Sequence, residues 1–449
     1  MKYNHKENKS EFLFQIDIPD FVSTVIKLLK KKGFDAFIVG GAVRDALMAR
    51  KAIDWDITTN AGVHEIQSVF KDIRQFSLKH ETVTLVHARR PYEVTTMKGE
   101  IGKTRDIYSD LSHRDFTLNA MAYDEEKSIV IDPHGGANDL RTKIIKAVNS
   151  PGDRFMEDPL RMLRAVRIAG ELEFVIDKDT VDGVGAFASS LASVSVERIR
   201  DELLKIILCR NPSNLLDLLR TTGLIKYFLP ELLEGYGMEQ NSWHRYTVFK
   251  HTLETIENVP SNHVLRLAAL LHDIGKPRVR EKVNGEYHFY NHDSISSSMA
   301  KDIMERLRFS REEIRKVTTL ISLHMIDYSK AWKDAAVRRL IRRAGRENID
   351  ELLTLRKADI IAHGLHDDKL ELIAHLEQRI EQMKKNNISV DITDLAIDGK
   401  KVMDVLKLEP GREVGKILGM LLELVTDNPE LNLEEKLIDI LIKYRQNPE

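Results

Sequence analysis

The first third of the chain alternates short β-rich runs with helical patterns. Apolar residues at three- and four-residue spacing predict one helix in FVSTVIKLLKKKG, before the first strand, and another in AVRDALMAR, after it. The runs that predict strands are FIVG (37–40), IDWDITT (53–59), TVTLVHA (82–88), YEVTT (92–96) and IVIDP (129–133). This alternation predicts a mixed α/β head over residues 1–149.

Strand signals nearly vanish from about residue 150 onward. The segments LRMLRAVRIAGEL, SVERIRDELLKIIL and NLLDLLRTTGLIKYF carry apolar residues on one helical face. A turn-rich stretch, EGYGMEQNSWHRY, then precedes a histidine-rich segment. We therefore predict an α+β protein, in which the mixed sheet of the head is followed by a helical neck (150–240), a histidine-rich helical domain (241–380) and a helical tail (381–449).

Composition narrows the class of protein. The 449 residues, of which 42% are hydrophobic and 31% charged, predict a soluble protein of several domains. No apolar run reaches the length of a membrane span, and the polar start MKYNHKENKSEF does not resemble a signal peptide. The single cysteine, Cys209, excludes an internal disulfide framework and favours a reducing cytoplasm. The lack of an apolar span predicts that the protein has no membrane partner.

The net charge of −2 gives no global indication of a nucleic-acid partner. Phosphate binding requires clustered Lys and Arg rather than an overall excess of positive charge. Any contact with RNA must therefore come from local basic surfaces.

The head carries candidate chemistry between residues 36 and 59. A strand runs into Gly40-Gly41, which opens a helix whose free N–H groups can receive a triphosphate. The next predicted strand carries Asp54 and Asp56 on one face, a pair of oxygen ligands suited to Mg²⁺. Glu93, on a later strand, is a candidate third carboxylate. A lone Gly-Gly is usually a turn, and Asp-x-Asp alone often arises by chance. Together, in strand–helix–strand order, they are a far more specific indication of a functional site.

These residues resemble a known signature. GGAVRD followed by DWD is similar to the polymerase-β-like nucleotidyltransferases, in the branch of class II tRNA nucleotidyltransferases (CCA-adding and CC-adding enzymes) and bacterial poly(A) polymerases. HRDFTLNAMAY (113–123), IDPHGGANDL (131–140) and EDPLRMLRAVR (157–167) resemble further motifs of that family, in the same order. The residues that the resemblance implies in nucleotide binding are Gly40, Gly41, Arg44, Asp45, Arg114, Asp115, Asn119, Asp158, Arg161 and Arg164.

Two of these motifs have implied roles. The family motif at residues 113–123 contacts the ribose of the incoming nucleotide, which makes Arg114 and Asp115 the candidates here. His113 stands where the family usually has Arg. The family motif at residues 157–167 selects the base, and the segment at 131–140 links head and neck.

Base selection by Asp158 and Arg161 has a physical rationale. Ionised Asp only accepts hydrogen bonds and Arg only donates them. Cytosine and adenine each offer an amino donor beside a ring-nitrogen acceptor, whereas uracil and guanine reverse that order; two such contacts discriminate by roughly 1–3 kcal/mol. The alternative is structural: Asp158-Pro159 reads as a helix N-terminus, and Glu157 can pair with Arg161 at four-residue spacing.

The resemblance also bears on which nucleotides are added. Complete CCA-adding members carry a flexible loop after the strand at 92–96, and the segment here, MKGEIGKTRDIYSDLSH, is visibly shorter. A shortened loop is typical of CC-adding relatives, which leave the last A to a separate A-adding enzyme. We therefore favour CC addition from CTP to tRNA lacking its 3′ CCA end. A complete CCA-adding enzyme that also uses ATP is the alternative, because Lys98, Lys103 and Arg105 remain in the loop.

The histidine-rich segment carries His251, then the pair His272-Asp273, and then Asp359. This order, H…HD…D, resembles that of the HD metal-dependent phosphohydrolases. The candidate metal ligands, in the order of that superfamily, are His251, His272, Asp273, His292, His324 and Asp359. Imidazole with carboxylate suits Mn, Ni, Fe or Zn better than Mg²⁺ alone, and such sites hydrolyse phosphoesters. The resemblance implies repair of RNA ends, although a lone histidine on a helix is more often structural. A further alternative is a phosphohydrolase whose head is a degenerate RNA-binding module.

Two segments are candidate RNA contacts. In AVRRLIRRAGR, Arg338, Arg342 and Arg346 follow at four-residue steps and form one basic stripe if the segment is helical. A solvated helix face explains them equally well. The final segment, LAIDGKKVMDVLKLEPGREVGKILGMLLELV, resembles the family tail that grips tRNA, though by itself it indicates only helices around a Pro-Gly loop.

Overall fold

The computed structural model of the protein describes residues 10–78, 81–99, 105–364, 368–385 and 390–446. The chain divides into two compact units. The first comprises the chain up to Arg210 together with Asn214–Phe228, and the second comprises Asn211–Ser213 and the chain from Leu229 onward.

The first unit is built on an eight-stranded sheet. Its strands are β1 (Glu11–Leu13), β2 (Ala36–Val39), β3 (Asp56–Thr59), β4 (Gln75–Leu78), β5 (Thr82–His87), β6 (Arg90–Thr96), β7 (Ala122–Asp124) and β8 (Ile129–Ile131). They lie in the order β1-β8-β7-β2-β3-β6-β5-β4. The neighbours β3 and β6 are parallel, whereas every other pair in this sheet is antiparallel.

Helices of the first unit surround the sheet and then continue the chain. They are α1 (Asp20–Lys31), α2 (Gly41–Leu47), α3 (Val63–Val69), α4 (Ile107–Ser112), α5 (Gly136–Thr142), α6 (Pro151–Glu157), α7 (Leu160–Leu172), α8 (Lys178–Phe187), α9 (Val196–Ile207) and α10 (Pro212–Thr221), whose first residues belong to the second unit. Short 3₁₀ turns span Thr117–Asn119, Ala188–Ser193 and Leu224–Tyr227. A parallel pair, β9 (Ile144–Ile145) and β10 (Val175–Ile176), ties the end of the head to the segment after α7.

The described residues of the second unit form helices and one hairpin. Its helices are α11 (Glu231–Glu234), α12 (Val248–Glu257), α13 (His263–Leu271), α14 (His292–Arg306), α15 (Arg311–Leu323), α16 (Asp334–Ala344), α17 (Ile349–Ala362), α18 (Lys369–Lys385), α19 (Gly399–Leu406), α20 (Arg412–Asp427) and α21 (Glu434–Gln446). Further 3₁₀ turns span Lys276–Val279, Ile392–Asp394 and Pro429–Leu431. The hairpin joins β11 (Glu281–Val283) to β12 (Glu286–His288).

The predicted α+β fold class is confirmed, with differences in detail. The strand predicted at 53–59 begins only at Asp56, so Asp54 precedes it. The sequence reading missed the short strands β1, β4 and β7, which are strands because a neighbour supplies their hydrogen bonds. It also missed the hairpin, although Asn284-Gly285, both with positive φ, is the usual signal for a tight hairpin turn. The division into four domains stays a prediction.

Each unit buries its own apolar residues. In the head, Val39 of β2, Met97 and Leu111 of α4 form a cluster that packs one face of the sheet against α4. In the tail, α19, α20 and α21 share a separate core around Val402, Leu421 and Leu437. Among the helices that the structure describes, none has the length and apolar character needed to cross a bilayer.

Candidate functional site

Gly40 forms the sharp turn between β2 and α2. Its backbone has φ +72° and ψ −131°, a conformation that only glycine adopts readily. A side chain there would also lie 3.1 Å from Nη1 of Arg114 and 3.8 Å from Oδ2 of Asp56. The backbone conformation therefore favours glycine at this position, and a side chain there would also displace the end of Arg114 slightly. The turn brings the start of α2 beside Asp56.

Parallel pairing of β3 with β6 sets Asp56 directly opposite Glu93. Burial raises the pKa of Asp56, opposed by the charge of Arg114 and aided by Asp54. Burial and repulsion from Asp56 and Asp54 likewise raise the pKa of Glu93. The three carboxylates thus influence one another, and Asp54 is exposed in the loop before β3.

A chain of polar contacts connects α2 to α7. Arg44 donates through Nε to Asp45 Oδ1 at 2.8 Å and through Nη1 to Asn119 Oδ1 at 2.9 Å. Asn119 donates to Asp115 Oδ1 at 3.1 Å, and Arg164 donates to Asp115 Oδ2 from Nε and Nη2 at 2.9 and 2.6 Å. Burial would raise the pKa of Asp115, but the charge and hydrogen bonds of Arg164, with those of Asn119, lower it to about 2.

Arg114 binds Asp110, a residue that the motifs did not indicate. Asp110 is buried and accepts hydrogen bonds from Nε and Nη2 of Arg114 at 3.3 and 3.1 Å. Its other oxygen accepts the backbone N–H of Lys98 at 3.0 Å. Asp110 lies four residues before Arg114, on α4, and a buried charge at helical spacing from a motif arginine is the signal that could have revealed it.

The two residues predicted to select the base each have protein partners in the structure. Asp158 is bound by Arg198 of α9, at 3.2 Å (Nη1–Oδ1) and 2.8 Å (Nη2–Oδ2). Arg161 donates to Glu157 Oε2 at 2.8 Å and to the carbonyl of His113 at 2.7 Å. The sequence reading missed Arg198, because a partner 40 residues away leaves no local pattern.

These groups line one cleft of the first unit, with a volume of about 790 Å³. Its wall includes Gly40, Gly41, Arg44, Asp45, Asp54, Asp56, Arg114, Asp115, Asn119, Asp158, Arg161, Arg164 and Arg198. Glu93 lies beside the cleft, opposite Asp56, rather than in its wall. The cleft therefore collects the acidic pair, the helix start and the arginine-rich face of α7 in one place. Of the loop cations, Lys98 lines the cleft, Arg105 pairs with Glu81 at 3.3 Å, and Lys103 lies outside the described residues.

The histidine-rich residues converge in the second unit. All six predicted ligands are buried. His251, His272 and Asp273 place one ligand atom each within 4.8 Å of one another, and Asp273, His292 and His324 do the same. Asp359 joins them, since its Oδ1 lies 3.0 Å from Nε2 of His251.

The four imidazoles share one hydrogen-bonding pattern. Nδ1 of His251, His272, His292 and His324 faces the backbone carbonyl of Ala362, Ala269, Phe289 and Ile321, at distances of 3.1, 2.9, 2.7 and 2.7 Å. That contact leaves each Nε2 directed towards the carboxylates, and Nε2 of His292 has no hydrogen-bond partner among the described residues. Histidines held through Nδ1 with Nε2 free are the usual arrangement of metal ligands.

Charges around this cluster fix the state of its carboxylates. Burial would raise the pKa of Asp273, but His272 and Lys276, whose Nζ lies 2.7 Å away, hold it well below the usual range. Burial would likewise raise the pKa of Asp359, but the hydrogen bonds of His251 and His272 and the charge of Arg356 hold it well below the usual range. Burial lowers the pKa of His324 to about 3, so that imidazole is neutral and able to bind a metal.

The predicted basic stripe lies only partly on α16, because this helix ends at Ala344 and Arg346 follows its end. All three arginines have partners within the second unit. Arg338 is buried and donates to the carbonyls of Thr426 and Asp427 at 2.6 and 3.0 Å. Arg342 pairs with Glu423, and Arg346 pairs with Asp394. These contacts explain the three arginines without RNA, and their predicted role in RNA binding stays a prediction.

Fold and site together define the class of protein. Residues 36–146 match the poly A polymerase head domain, residues 173–235 match the probable RNA and SrmB-binding site of polymerase A, and residues 289–441 match a putative domain 2 of tRNA nucleotidyltransferases. A sheet that brings paired carboxylates to a glycine turn and an arginine-lined cleft is thus the head of a nucleotidyltransferase.

Similarity to whole proteins identifies the family. The chain is 31% identical over 409 residues to an A-adding tRNA nucleotidyltransferase of Deinococcus radiodurans, covering 86% of this chain and 91% of the relative. It is 30% identical over 422 residues to a CCA-adding enzyme of Pediococcus pentosaceus, covering 91% and 94%. A crystal structure of the Bacillus stearothermophilus CCA-adding enzyme in complex with CTP superimposes with a TM-score of 0.69 at 28% identity, covering 95% and 97%. The chain belongs to the tRNA nucleotidyltransferase family, as the sequence motifs predicted.

Proposed function

We propose that the protein adds cytidines from CTP to the 3′ end of tRNA that lacks its CCA terminus. The observation that carries this proposal is the cleft of the first unit, which unites Asp54 and Asp56 with Asp158, Arg161 and Arg164. Such a cleft offers acidic groups at one end and a base-reading face at the other.

The carboxylates fit Mg²⁺. Asp56 and Glu93 face each other, and their raised pKa values reflect burial and mutual repulsion that a divalent cation would relieve. Asp54 and Asp56 would hold the ion, with Glu93 as a weaker third candidate. A bound Mg²⁺ would supply activation of the RNA 3′-hydroxyl and stabilisation of the leaving pyrophosphate.

The remaining groups bind and orient the nucleotide. Free N–H groups where α2 begins, at Gly41, suit a phosphate. Arg114 lies beside that turn, and Asp115 is held by Arg164 where a ribose hydroxyl can be received.

Base selection uses the lone pairs of Asp158 and the N–H groups of Arg161 that their protein partners leave free. Asp158 accepts from Arg198 with both oxygens, and its Oδ1 also accepts the backbone N–H of Leu160 at 3.2 Å. In the bonds described, Oδ2 therefore keeps a second lone pair free. Arg161 donates only through Nη1 and Nη2 in the bonds described. An acceptor beside a donor matches cytosine and adenine and rejects uracil and guanine.

The number of nucleotides added is tested directly. A tRNA transcript without CCA is incubated with Mg²⁺ and CTP, ATP or both, and the products are sequenced. Two cytidines and no terminal A in the mixed reaction are expected for the short loop, and a complete CCA end would show that the loop still switches to ATP. No extension of this transcript, with A added only to one ending in CC, would favour the activity named for the Deinococcus radiodurans relative. Failure to extend any transcript would overturn the proposal.

We further propose a metal-dependent phosphoesterase site in the second unit. It rests on the convergence of four imidazole Nε2 atoms on Asp273 and Asp359, a donor set that suits Mn, Ni, Fe or Zn. The test is elemental analysis of the purified protein, followed by hydrolysis of a 2′,3′-cyclic nucleotide. Absence of metal after incubation with each of these ions would exclude the site.

A further inference from the structure

A second cavity of the first unit, of about 990 Å³, adjoins the acidic end of the cleft. It is formed by the segment before α1, the loop between α2 and β3, and the start of β6. Ile53 and Asp54 line both this cavity and the nucleotide cleft. Asp54 therefore stands at the boundary between two concave surfaces. We call the second one the Asp54 cavity.

The Asp54 cavity carries three cations without a protein partner. Arg50, Lys51 and Arg90 are exposed, and within the part of the chain that the structure describes none of them forms an ion pair. Most arginines of the nucleotide cleft differ, because Arg44, Arg114 and Arg164 are each bound to a carboxylate. The acidic residues that line the cavity are Asp17 and Asp54, so its three cations give the lining a net positive charge. Unpaired cations are free to bind phosphates.

Apolar and aromatic side chains stand among these cations. Ile53 is 86% exposed, an unusual position for a large apolar side chain beside a charged site. Tyr92 is half-buried and rests on Phe21 at a ring distance of 4.8 Å. Cations interleaved with flat or apolar surfaces are how proteins hold single-stranded nucleic acid, the cations following phosphates and the rings receiving bases.

We propose that the Asp54 cavity binds the single-stranded 3′-terminal nucleotides of the RNA that is extended. The inference rests on the proposed nucleotidyl transfer, in which the 3′-hydroxyl must reach Asp54 while the incoming nucleotide occupies the cleft. The RNA end then approaches from another side of Asp54, and the Asp54 cavity is a concave surface that shares Asp54 with the cleft. Arg50, Lys51 and Arg90 would bind backbone phosphates, and Ile53 with Tyr92 would receive the terminal bases.

Steady-state kinetics of Arg50→Ala/Lys51→Ala test this assignment. The double variant is expected to raise the KM for tRNA lacking CCA about tenfold while the KM for CTP stays within about twofold. The slope of log affinity against log salt should fall by roughly 1.4, since each phosphate contact on a single strand contributes about 0.7. Lys71→Ala/Arg74→Ala is the matched control, because both side chains are exposed cations outside the cavity. Equal behaviour of the two double variants, or a rise in the KM for CTP alone, would overturn the proposal.

Cross-linking separates this proposal from the proposed function. A transcript with 4-thiouridine at its 3′ end is irradiated with the wild-type protein, without nucleotide, and the attached peptides are identified. Attachment within residues 46–55 or 90–92 supports the cavity even if no nucleotide is added. Attachment elsewhere, by a protein that does extend tRNA, would leave the activity intact and disprove the cavity.

Discussion

Single residues of the head are held by ion pairs whose members are distant in sequence. Asp115 and Arg164 are 49 residues apart, yet Arg164 donates twice to one oxygen of Asp115. Asp115 is 7% exposed, so its charge depends on this partner. The pair joins the loop after α4 to α7 and fixes a residue predicted to contact the ribose.

Substituting Asp115→Asn should destabilise the first unit by about 2 kcal/mol at pH 7, because Arg164 loses its counter-charge. The pKa of Asp115 is about 2, against a model-peptide value near 3.9, so the contribution is complete above about pH 4 and is lost as pH falls towards 2. The wild type should therefore lose more stability than the variant between pH 4 and 2.5. Fluorescence of Trp55 during urea unfolding, with Trp243 and Trp332 changed to Phe, reports on this unit.

The control for that prediction is Asp182→Asn, an exposed carboxylate of the same unit that lies beyond the first turn of α8. It should leave both the stability and its pH dependence unchanged. If Asp115→Asn behaves like this control, the ion pair with Arg164 is not a stabilising contact.

Gly40→Ala should lower nucleotide addition at least tenfold. The methyl group would crowd Nη1 of Arg114 and impose a strained backbone, a cost of about 1–3 kcal/mol. Gly223→Ala is the informative comparison, since Gly223 also has a positive φ, +76°, but a methyl group there meets nothing within 4 Å. Activity assays at saturating CTP and tRNA should separate the two. Equal loss in both variants would mean that backbone strain, and not the contact with Arg114, limits activity.

At the scale of elements, a side chain of α16 caps the C-terminus of α20. Helices end with carbonyls that lack partners, and Arg338 of α16 donates to two of them, at Thr426 and Asp427. A cation at a helix C-terminus also interacts favourably with the helix dipole. Arg338 and Arg342 of the predicted stripe lie on α16, but the helix ends at Ala344, so Arg346 lies beyond it. The contact of Arg338 with α20 also buries part of the predicted stripe.

Arg338→Met should therefore destabilise the second unit by about 2 kcal/mol, the value of hydrogen bonds from a charged donor. The affinity for tRNA should not change beyond what partial unfolding causes. Thermal unfolding by circular dichroism and filter binding of tRNA check the two halves of this prediction. Arg343→Met is the matched control, because Arg343 is exposed on the same helix and forms no ion pair with described residues. Unchanged stability with weakened tRNA binding would restore the RNA-binding interpretation.

At the scale of the whole molecule, the two candidate sites belong to different compact units. The head carboxylates lie in the first, and the histidine cluster lies in the second. Each unit buries its own apolar residues, so a substitution in one site is not expected to disturb the other.

Asp54→Ala/Asp56→Ala should abolish nucleotide addition and leave bound transition metal and any phosphoesterase activity unchanged. His272→Ala/Asp273→Ala should do the reverse, with addition kept within about twofold, because a metal site that loses two buried ligands cannot hold its ion. Nucleotide addition, elemental analysis and phosphoester hydrolysis are measured on all three proteins. Addition that survives loss of Asp54 and Asp56 would support a degenerate head.

The local part of the architecture could be read from the sequence. Most helices and strands could be predicted from the spacing of apolar residues, because that spacing places them on one face of a helix or strand. The Gly40 turn and the pairing of Glu157 with Arg161 are local in the same sense, and both are present. The family could also be predicted from the sequence, because several of its motifs occur along this chain in the same order.

Tertiary structure alone decided which distant groups meet. The register of β3 against β6 brings Glu93 to Asp56, and packing of α9 brings Arg198 to Asp158. The same holds for the contact of Arg338 with the end of α20. Charge pairing across 40 or more residues leaves no periodic trace in a sequence, because it depends on which faces pack. The sequence by itself therefore determined most of the elements, the family and the residues capable of chemistry. The fold determined the partners of those residues and which cations have no ion pair among the described residues.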